Sequence, residues 1–256
     1  MLLNYHEFGQ GRPLIILHGL FGSARNWQGI ARALSGKHHV LTPDLRNHGL
    51  SPHTDTMSYQ DMSDDIIEFI DRLDLDNVII LGHSMGGKVA MTAALLYPKR
   101  FSALAVIDIA PIRYQHDFAR FTTAMNALKL DSLKNRIQAE ETLRKVTDDI
   151  GIIQLLSHNL VRSENSFKWR FNLEGIEANL SLIAQFPDSL KNNSFYLPSL
   201  FLGGTESNYL HNIDNTVIYD YFPTAKINMI RGAGHWPHTE KPNEFLKYIK
   251  NFINSV

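Results

Sequence analysis

The chain has 256 residues, 44% of them hydrophobic, and 25 basic against 26 acidic side chains. This length and apolar content predict one domain around a sizeable core. The formal net charge of −1 argues against a nucleic-acid partner or a polybasic membrane anchor, because both need a strongly basic surface. The sequence contains no cysteine, which excludes disulfides, cysteine-based metal sites and thiol catalysis.

The N-terminal residues lack the basic start, long apolar run and small-residue cleavage site of a signal peptide. No run in the chain approaches the roughly 18 apolar residues of a membrane helix. We therefore expect a cytoplasmic protein.

Short runs rich in Val, Ile and Leu alternate with helical patterns in the first half of the chain. The runs are apolar almost throughout, which is typical of strands buried on both faces of a parallel sheet. The predicted strands are 13–18, 40–43, 77–82 and 103–109, and the predicted helices are 59–73 and 85–96.

The alternation stops after Pro111, where the patterns become helical as far as about Pro187, with no convincing strand. Strand patterns return at 198–204 and 226–232, and a last amphipathic helix is predicted at 242–253. These elements predict an α/β fold with a mostly parallel central sheet, flanking helices and a packed helical cap. The expected division is a core of residues 1–110 and 191–256 with a cap insertion at 111–190.

The strongest local motif is Gly82-His83-Ser84-Met85-Gly86, which follows a predicted strand and precedes a predicted helix. In such a strand-to-helix turn a serine adopts a strained backbone, and small flanking residues let neighbouring chains pass close by. The helix N-terminus beyond the turn favours developing negative charge. The alternative is a glycine-rich turn at a helix start; we interpret Ser84 as a nucleophile.

A serine hydroxyl needs a base to take its proton. His235, within Gly232-Ala233-Gly234-His235-Trp236, follows the last predicted strand and so lies at the carboxyl edge of the sheet, where open α/β folds keep their sites. His235 is the predicted base and His238 the less favoured rival.

The base needs an acid to orient it, with the chain order serine, acid, histidine. Asp108 ends an apolar strand, where an unpaired charge is costly. The rival place is the loop after 198–204, where a common aspartate position is occupied by Ser207, beside Glu206. We therefore predict Asp108 as the acid, against the alternative that it only caps the next helix.

Two backbone amides should stabilise the developing oxyanion. One is the amide of Met85, and the other is that of Leu20, or alternatively Phe21, in the loop after the first long strand. His18 is interpreted as a structural residue of that loop, and residues 44–51 as a turn held by their own polar side chains. No HExxH, GxGxxG or P-loop pattern is present, so neither a metal nor a nucleotide cofactor is predicted.

Six motifs together resemble the YbfF-type bacterial esterases of the α/β-hydrolase superfamily, from about residue 13 to the C-terminus and most weakly in the cap. They are HGLFGS (18–23), RNHGLSP (46–52), GHSMGGK (82–88), IDIAP (107–111), WRFN (169–172) and GAGHWPHTEKP (232–242). The resemblance implies the α/β-hydrolase fold, activity on acyl substrates, Asp108 as the acid, and Ser207 as an auxiliary residue near the histidine.

The expected function is therefore hydrolysis of a small-molecule carboxylic ester or thioester through an acyl-enzyme. Carbon–carbon bond hydrolysis or lyase chemistry on the same scaffold, and a non-catalytic ligand-binding role, stay as alternatives. A dehalogenase is disfavoured, because it needs an aspartate where Ser84 stands.

Overall fold

A mostly parallel seven-stranded sheet forms the centre of the protein in a computed structural model that describes residues 1–115, 118–163 and 166–256. Its strands are β1 (Tyr5–Phe8), β2 (Arg12–Leu17), β3 (His38–Pro43), β4 (Val78–His83), β5 (Phe101–Ile107), β8 (Ser199–Gly204) and β9 (Ala225–Ile230). They lie in the order β1-β3-β2-β4-β5-β8-β9. Only β1, which pairs with β3, is antiparallel to its neighbour. The predicted parallel sheet is confirmed.

Helices cover both faces of this sheet, as its apolar strands require. On β2, Leu14 and Ile16 pack in one apolar cluster with α1 (Gln28–Leu34) and α10 (Pro242–Ile253). The alternate residues Ile15 and Leu17 pack in a second cluster. That cluster contains α2 (Tyr59–Arg72) and α3 (Met85–Leu96). These last four residues of β2 are fully buried, because successive side chains of a strand point to opposite faces and helices cover both.

The segment between β5 and β8 carries elements that are separate from the central sheet. It contains α4 (Ala119–Asn126), α5 (Arg136–Leu143), α6 (Ile150–His158), β6 (Leu160–Ser163), β7 (Ser166–Trp169) and α7 (Leu173–Ile183). We call residues 111–190 the cap segment and propose it as a unit distinct from the core; residues 116–117 and 164–165 lie outside the described residues.

The prediction that the cap segment is all helical was wrong, because β6 and β7 pair as an antiparallel hairpin. Each strand has only four residues. Leu160 is the one buried residue of β6, and Phe167 is the one buried residue of β7. So short a run cannot show the period of two by which a strand is recognised in sequence.

The parallel strands bring the loops after β2, β4, β5, β8 and β9 to one edge of the sheet, where such folds place their sites. Two short helices, α8 (Thr216–Tyr219) and α9 (Pro237–Glu240), flank β9. No helix in the described part of the chain has the length and apolar composition to cross a membrane.

Candidate active site

Ser84 occupies a sharp turn between β4, which ends at His83, and α3, which begins at Met85. Its backbone has φ 53° and ψ −119°, a conformation that costs on the order of 1–3 kcal/mol for a residue with a side chain. A Cβ on Gly82 would lie 2.1 Å from the carbonyl oxygen of Gly86. Glycine is therefore required here, and the predicted strand–serine–helix turn is present.

Three side chains from distant parts of the chain form a continuous hydrogen-bonded series. His235 Nε2 lies 3.1 Å from Ser84 Oγ, and His235 Nδ1 lies 2.7 Å from Asp108 Oδ2. Because the carboxylate can only accept, Nδ1 carries the proton and Nε2 is left to accept from the serine hydroxyl. The structure thus brings together the three residues predicted from the sequence.

Asp108 is fully buried and has φ 52° at the end of β5. Besides the imidazole it accepts hydrogen bonds from the amide of Gly204, at 3.2 Å, and from the hydroxyl of Ser207. Three donors therefore satisfy a carboxylate that would otherwise be costly in an apolar interior. Ser207 lies where the resemblance implied, and Glu206 beside it is exposed.

The rival histidine, His238, is a core residue. Its ring stacks on Trp27 with centroids 4.2 Å apart and planes 14° apart. It is 6% exposed, and burial lowers the pKa of His238 to about 3. A ring that stays neutral in this packing is interpreted as structural.

His83, which the sequence analysis did not assign, supports the histidine loop. Its Nε2 lies 2.7 Å from the main-chain carbonyl oxygen of His235 and therefore donates to it. Burial lowers the pKa of His83 well below its usual value, so the ring remains a neutral donor. The only sequence signal was its position beside the nucleophile.

The loop after β2 forms a tight turn that Gly19 and Gly22 close with a 2.9 Å hydrogen bond. The amide of Phe21 in this turn donates to His48 Nε2 at 3.1 Å. That amide is therefore already used, and of the two predicted alternatives the amide of Leu20 is the better oxyanion donor. His18 Nε2 accepts from the amide of Leu45 at 3.0 Å, in agreement with a structural role.

Residues 44–51 do more than stabilise their own turn. Asp44 accepts from the amide of Leu50 within the turn, at 2.9 Å, and from the amide of Ala24 outside it, at 2.7 Å. Arg46 forms a buried ion pair with Asp65 of α2. The segment therefore connects the loop after β2 to the body of the core.

A narrow cleft lies beside Ser84 and is lined from both the core and the cap segment. The lining residues are Leu20, Tyr59, Ser84, Met85, Lys88, Ile109, Tyr114, Phe118, Ile183 and Tyr209. Lys88 Nζ donates to the carbonyl oxygens of Ala184 and Gln185, at 3.1 and 2.7 Å, just after α7. Burial lowers the pKa of Lys88 to about 7. Most of the lining residues are apolar. Because Lys88 bonds to the cap segment, the shape of the cleft depends on that segment.

Comparison with known proteins agrees with this architecture. A family model described as the alpha/beta hydrolase fold matches residues 12–242. A solved structure described as a marine microorganism esterase superposes with a TM-score of 0.93 at 37% identity, over 98% of each chain.

Two curated relatives cover nearly the whole chain. The esterase YbfF of Escherichia coli (strain K12) is 36% identical over 248 residues, which are 94% of this chain and 93% of that protein. The sn-1-specific diacylglycerol lipase ABHD11 of Xenopus tropicalis is 42% identical over 261 residues, which are 98% of this chain and 81% of that protein. The chain therefore belongs to the α/β-hydrolase fold family and, within it, to the YbfF-type esterases, the carboxylic ester hydrolases that its motifs resembled.

Proposed function

We propose that Ser84, His235 and Asp108 are the catalytic triad with which this protein hydrolyses carboxylic esters and thioesters. The observation that carries the proposal is the series of two hydrogen bonds from Ser84 Oγ through His235 to Asp108. Asp108 holds the imidazole in the tautomer that accepts the serine proton and stabilises the imidazolium.

Acyl transfer proceeds in two steps. Ser84 Oγ attacks the acyl carbon while His235 takes its proton and passes it to the leaving alcohol or thiol. A water molecule, deprotonated by the same histidine, then attacks the acyl-enzyme and releases the acid. The amides of Leu20 and Met85 donate to the oxyanion in both steps, and the N-terminus of α3 adds a favourable field.

Ser207 is proposed as an auxiliary residue that acts through Asp108. Its hydroxyl donates to the same carboxylate oxygen that receives the His235 proton. A donor at that oxygen holds the carboxylate in the orientation in which it accepts from His235 Nδ1.

The substrate is proposed to be a small-molecule acyl ester or thioester whose acyl chain enters the cleft beside Ser84. The cleft wall is mostly apolar, which suits an acyl chain. Two relatives are named as an esterase and a diacylglycerol lipase, and both act on ester bonds. No metal or nucleotide takes part in the proposed mechanism, and the cytoplasm is the proposed location.

Hydrolysis of p-nitrophenyl esters from acetate to palmitate, and of matching thioesters, tests the proposal. Ser84→Ala should abolish turnover, and the chain-length profile of the wild type measures the depth of the cleft. A folded wild-type protein without activity on any ester or thioester would contradict the proposal and favour carbon–carbon bond cleavage or ligand binding.

A further inference from the structure

The oxyanion turn, residues Gly19–Gly22, holds a bulky residue in a conformation that normally needs glycine. Phe21 is the third residue of this turn and has φ 60°. A positive φ at that position is typical of a type II turn, in which glycine or asparagine is preferred. Because a phenylalanine backbone is strained there, the surrounding contacts must hold it in place.

Each polar group of the Phe21 backbone has a partner from a different part of the molecule. Its N–H donates to His48 Nε2 in the core, at 3.1 Å. Its carbonyl oxygen accepts from Asn159 Nδ2 in the cap segment, at 2.7 Å. The Phe21 ring packs on the ring of Phe171, also in the cap segment, with centroids 5.3 Å apart. The cap segment thus supplies two of these three supports.

Asn159 itself is firmly placed. It follows the last residue of α6 and is 5% exposed. Its Nδ2 also donates to the carbonyl oxygen of Leu155 at 2.8 Å. The main-chain carbonyl oxygen of Asn159 accepts from the amide of Arg170 at 2.8 Å. The side chain is therefore preorganised to support the turn.

The conformation of Phe21 affects the direction of the Leu20 amide through the hydrogen bond that closes the turn. The Leu20 N–H shares a planar peptide with the Gly19 carbonyl, and in a trans peptide the two point in opposite directions. That carbonyl accepts from the Gly22 N–H, which closes the turn, and from His18 Nδ1 at 2.8 Å. The turn adjoins the nucleophile, since a Cβ on Gly19 would lie 3.3 Å from Ser84 Cβ. Relaxation of Phe21 would break the Gly22 bond and leave His18 as the remaining support of the Gly19 carbonyl, so the Leu20 amide would be held less firmly toward the reacting carbonyl.

We propose that Asn159 is a positioning residue that couples the cap segment to the oxyanion hole. The inference rests on the proposed function, because it assumes that the Leu20 amide stabilises the oxyanion. When the cap segment is packed against the core, Asn159 holds the oxyanion turn in its strained conformation. When the cap segment moves away from the core, the turn loses this support and acyl transfer slows.

The test compares two variants at Asn159 with a matched control at Asn179. Asn159→Ala removes the donor, and Asn159→Asp removes it while keeping the side-chain volume. Asn179 is also a buried asparagine of the cap segment that bonds to the core. It accepts from the Met57 amide and donates to the Asp55 carbonyl, neither of which belongs to the oxyanion turn. Asn179→Ala therefore removes comparable bonds between cap and core without touching Phe21.

Two measurements separate positioning from general structural support. The first is kcat and KM on p-nitrophenyl butyrate. The second is the Ki of an alkyl trifluoromethyl ketone, which forms a serine hemiketal with an oxyanion. Both Asn159 variants should lower kcat about tenfold to 100-fold with little change in KM, and should raise Ki by a similar factor. Asn179→Ala should change each quantity less than about threefold, the scale of an effect outside the reacting centre.

The proposal is overturned if the Asn159 variants lower kcat no more than Asn179→Ala does, or if Ki stays at its wild-type value. It is also overturned if both variants fail to show a cooperative melting transition, since Asn159 would then serve the fold alone. Ser84→Ala separates a failure of the proposed coupling from a failure of the proposed function. An inactive Ser84→Ala beside fully active Asn159 variants refutes only the coupling, whereas an active Ser84→Ala refutes the proposed function itself.

Discussion

Replacing Asp108 with asparagine tests how the buried acid works. In Asp108→Asn the amide has one oxygen and one NH₂ group, and its surroundings decide which way it faces. The Gly204 amide donates to Oδ1 and so requires an acceptor there. The Ser207 hydroxyl and the His235 ring at Oδ2 can each donate or accept, whereas a backbone N–H can only donate, so the NH₂ group takes the position of Oδ2, which faces His235 Nδ1 at 2.7 Å.

An NH₂ group at that position forces His235 into the opposite tautomer. Nδ1 must then accept, so Nε2 carries the proton and can no longer take one from Ser84. We expect kcat/KM to fall by about 10⁴, equivalent to about 5.5 kcal/mol in the barrier. Folding should be retained, because asparagine tolerates the positive φ of this position as aspartate does.

The assay is p-nitrophenyl butyrate hydrolysis, with the melting temperature measured on each variant. Glu206→Gln is the matched control, because Glu206 is an exposed carboxylate on the loop that carries Ser207 and should tolerate neutralisation. Activity within tenfold of the wild type in Asp108→Asn, or a large loss in Glu206→Gln, would refute the assignment of the acid.

Three further substitutions test the supports of the site. Burial lowers the pKa of Lys88 to about 7, so above that pH the unfolded chain binds a proton that the folded protein lacks. Urea unfolding between pH 7 and 9 should therefore show wild-type stability rising relative to Lys88→Met, by up to about 1.4 kcal/mol per pH unit; a constant difference would contradict this. Gly82→Ala should abolish labelling by a fluorophosphonate probe, because a Cβ there meets a backbone carbonyl at 2.1 Å, whereas Gly36→Ala, with nothing within 4 Å, should label normally. Ser207→Ala should lower kcat/KM by about tenfold or more through loss of a hydrogen bond to a buried carboxylate, and unchanged turnover would remove Ser207 from the mechanism.

The sequence predicted six of the seven strands of the central sheet because their signal is local. These strands are mostly apolar runs, whereas β1 (Tyr5–Phe8) contains no such run. The turn at Ser84 is flanked by Gly82 and Gly86, where a Cβ would meet backbone atoms. Chain order and strand edges then led to His235 and Asp108, which the structure brings together with Ser84, since the loops after parallel strands converge at one edge.

What the sequence did not predict depends on contacts between distant segments. The strands of the β6–β7 hairpin are too short to show the alternation of apolar and polar residues that marks a strand in sequence. The bond from Asn159 to the Phe21 carbonyl spans 138 residues, and asparagine after a helix has an ordinary capping explanation. The choice between the Leu20 and Phe21 amides needed the position of the His48 ring, which no spacing reveals.

The dispersal of the three reacting residues has a consequence for how the protein acquires activity. Ser84 and His235 are 151 positions apart, and Asp108 is held in place by the amide of Gly204 at the end of β8. A chain emerging from the ribosome therefore has no complete triad until β8 has paired with β5 and β9 with β8. Recovery of ester hydrolysis during refolding should consequently report the docking of the last strands rather than the collapse of the first.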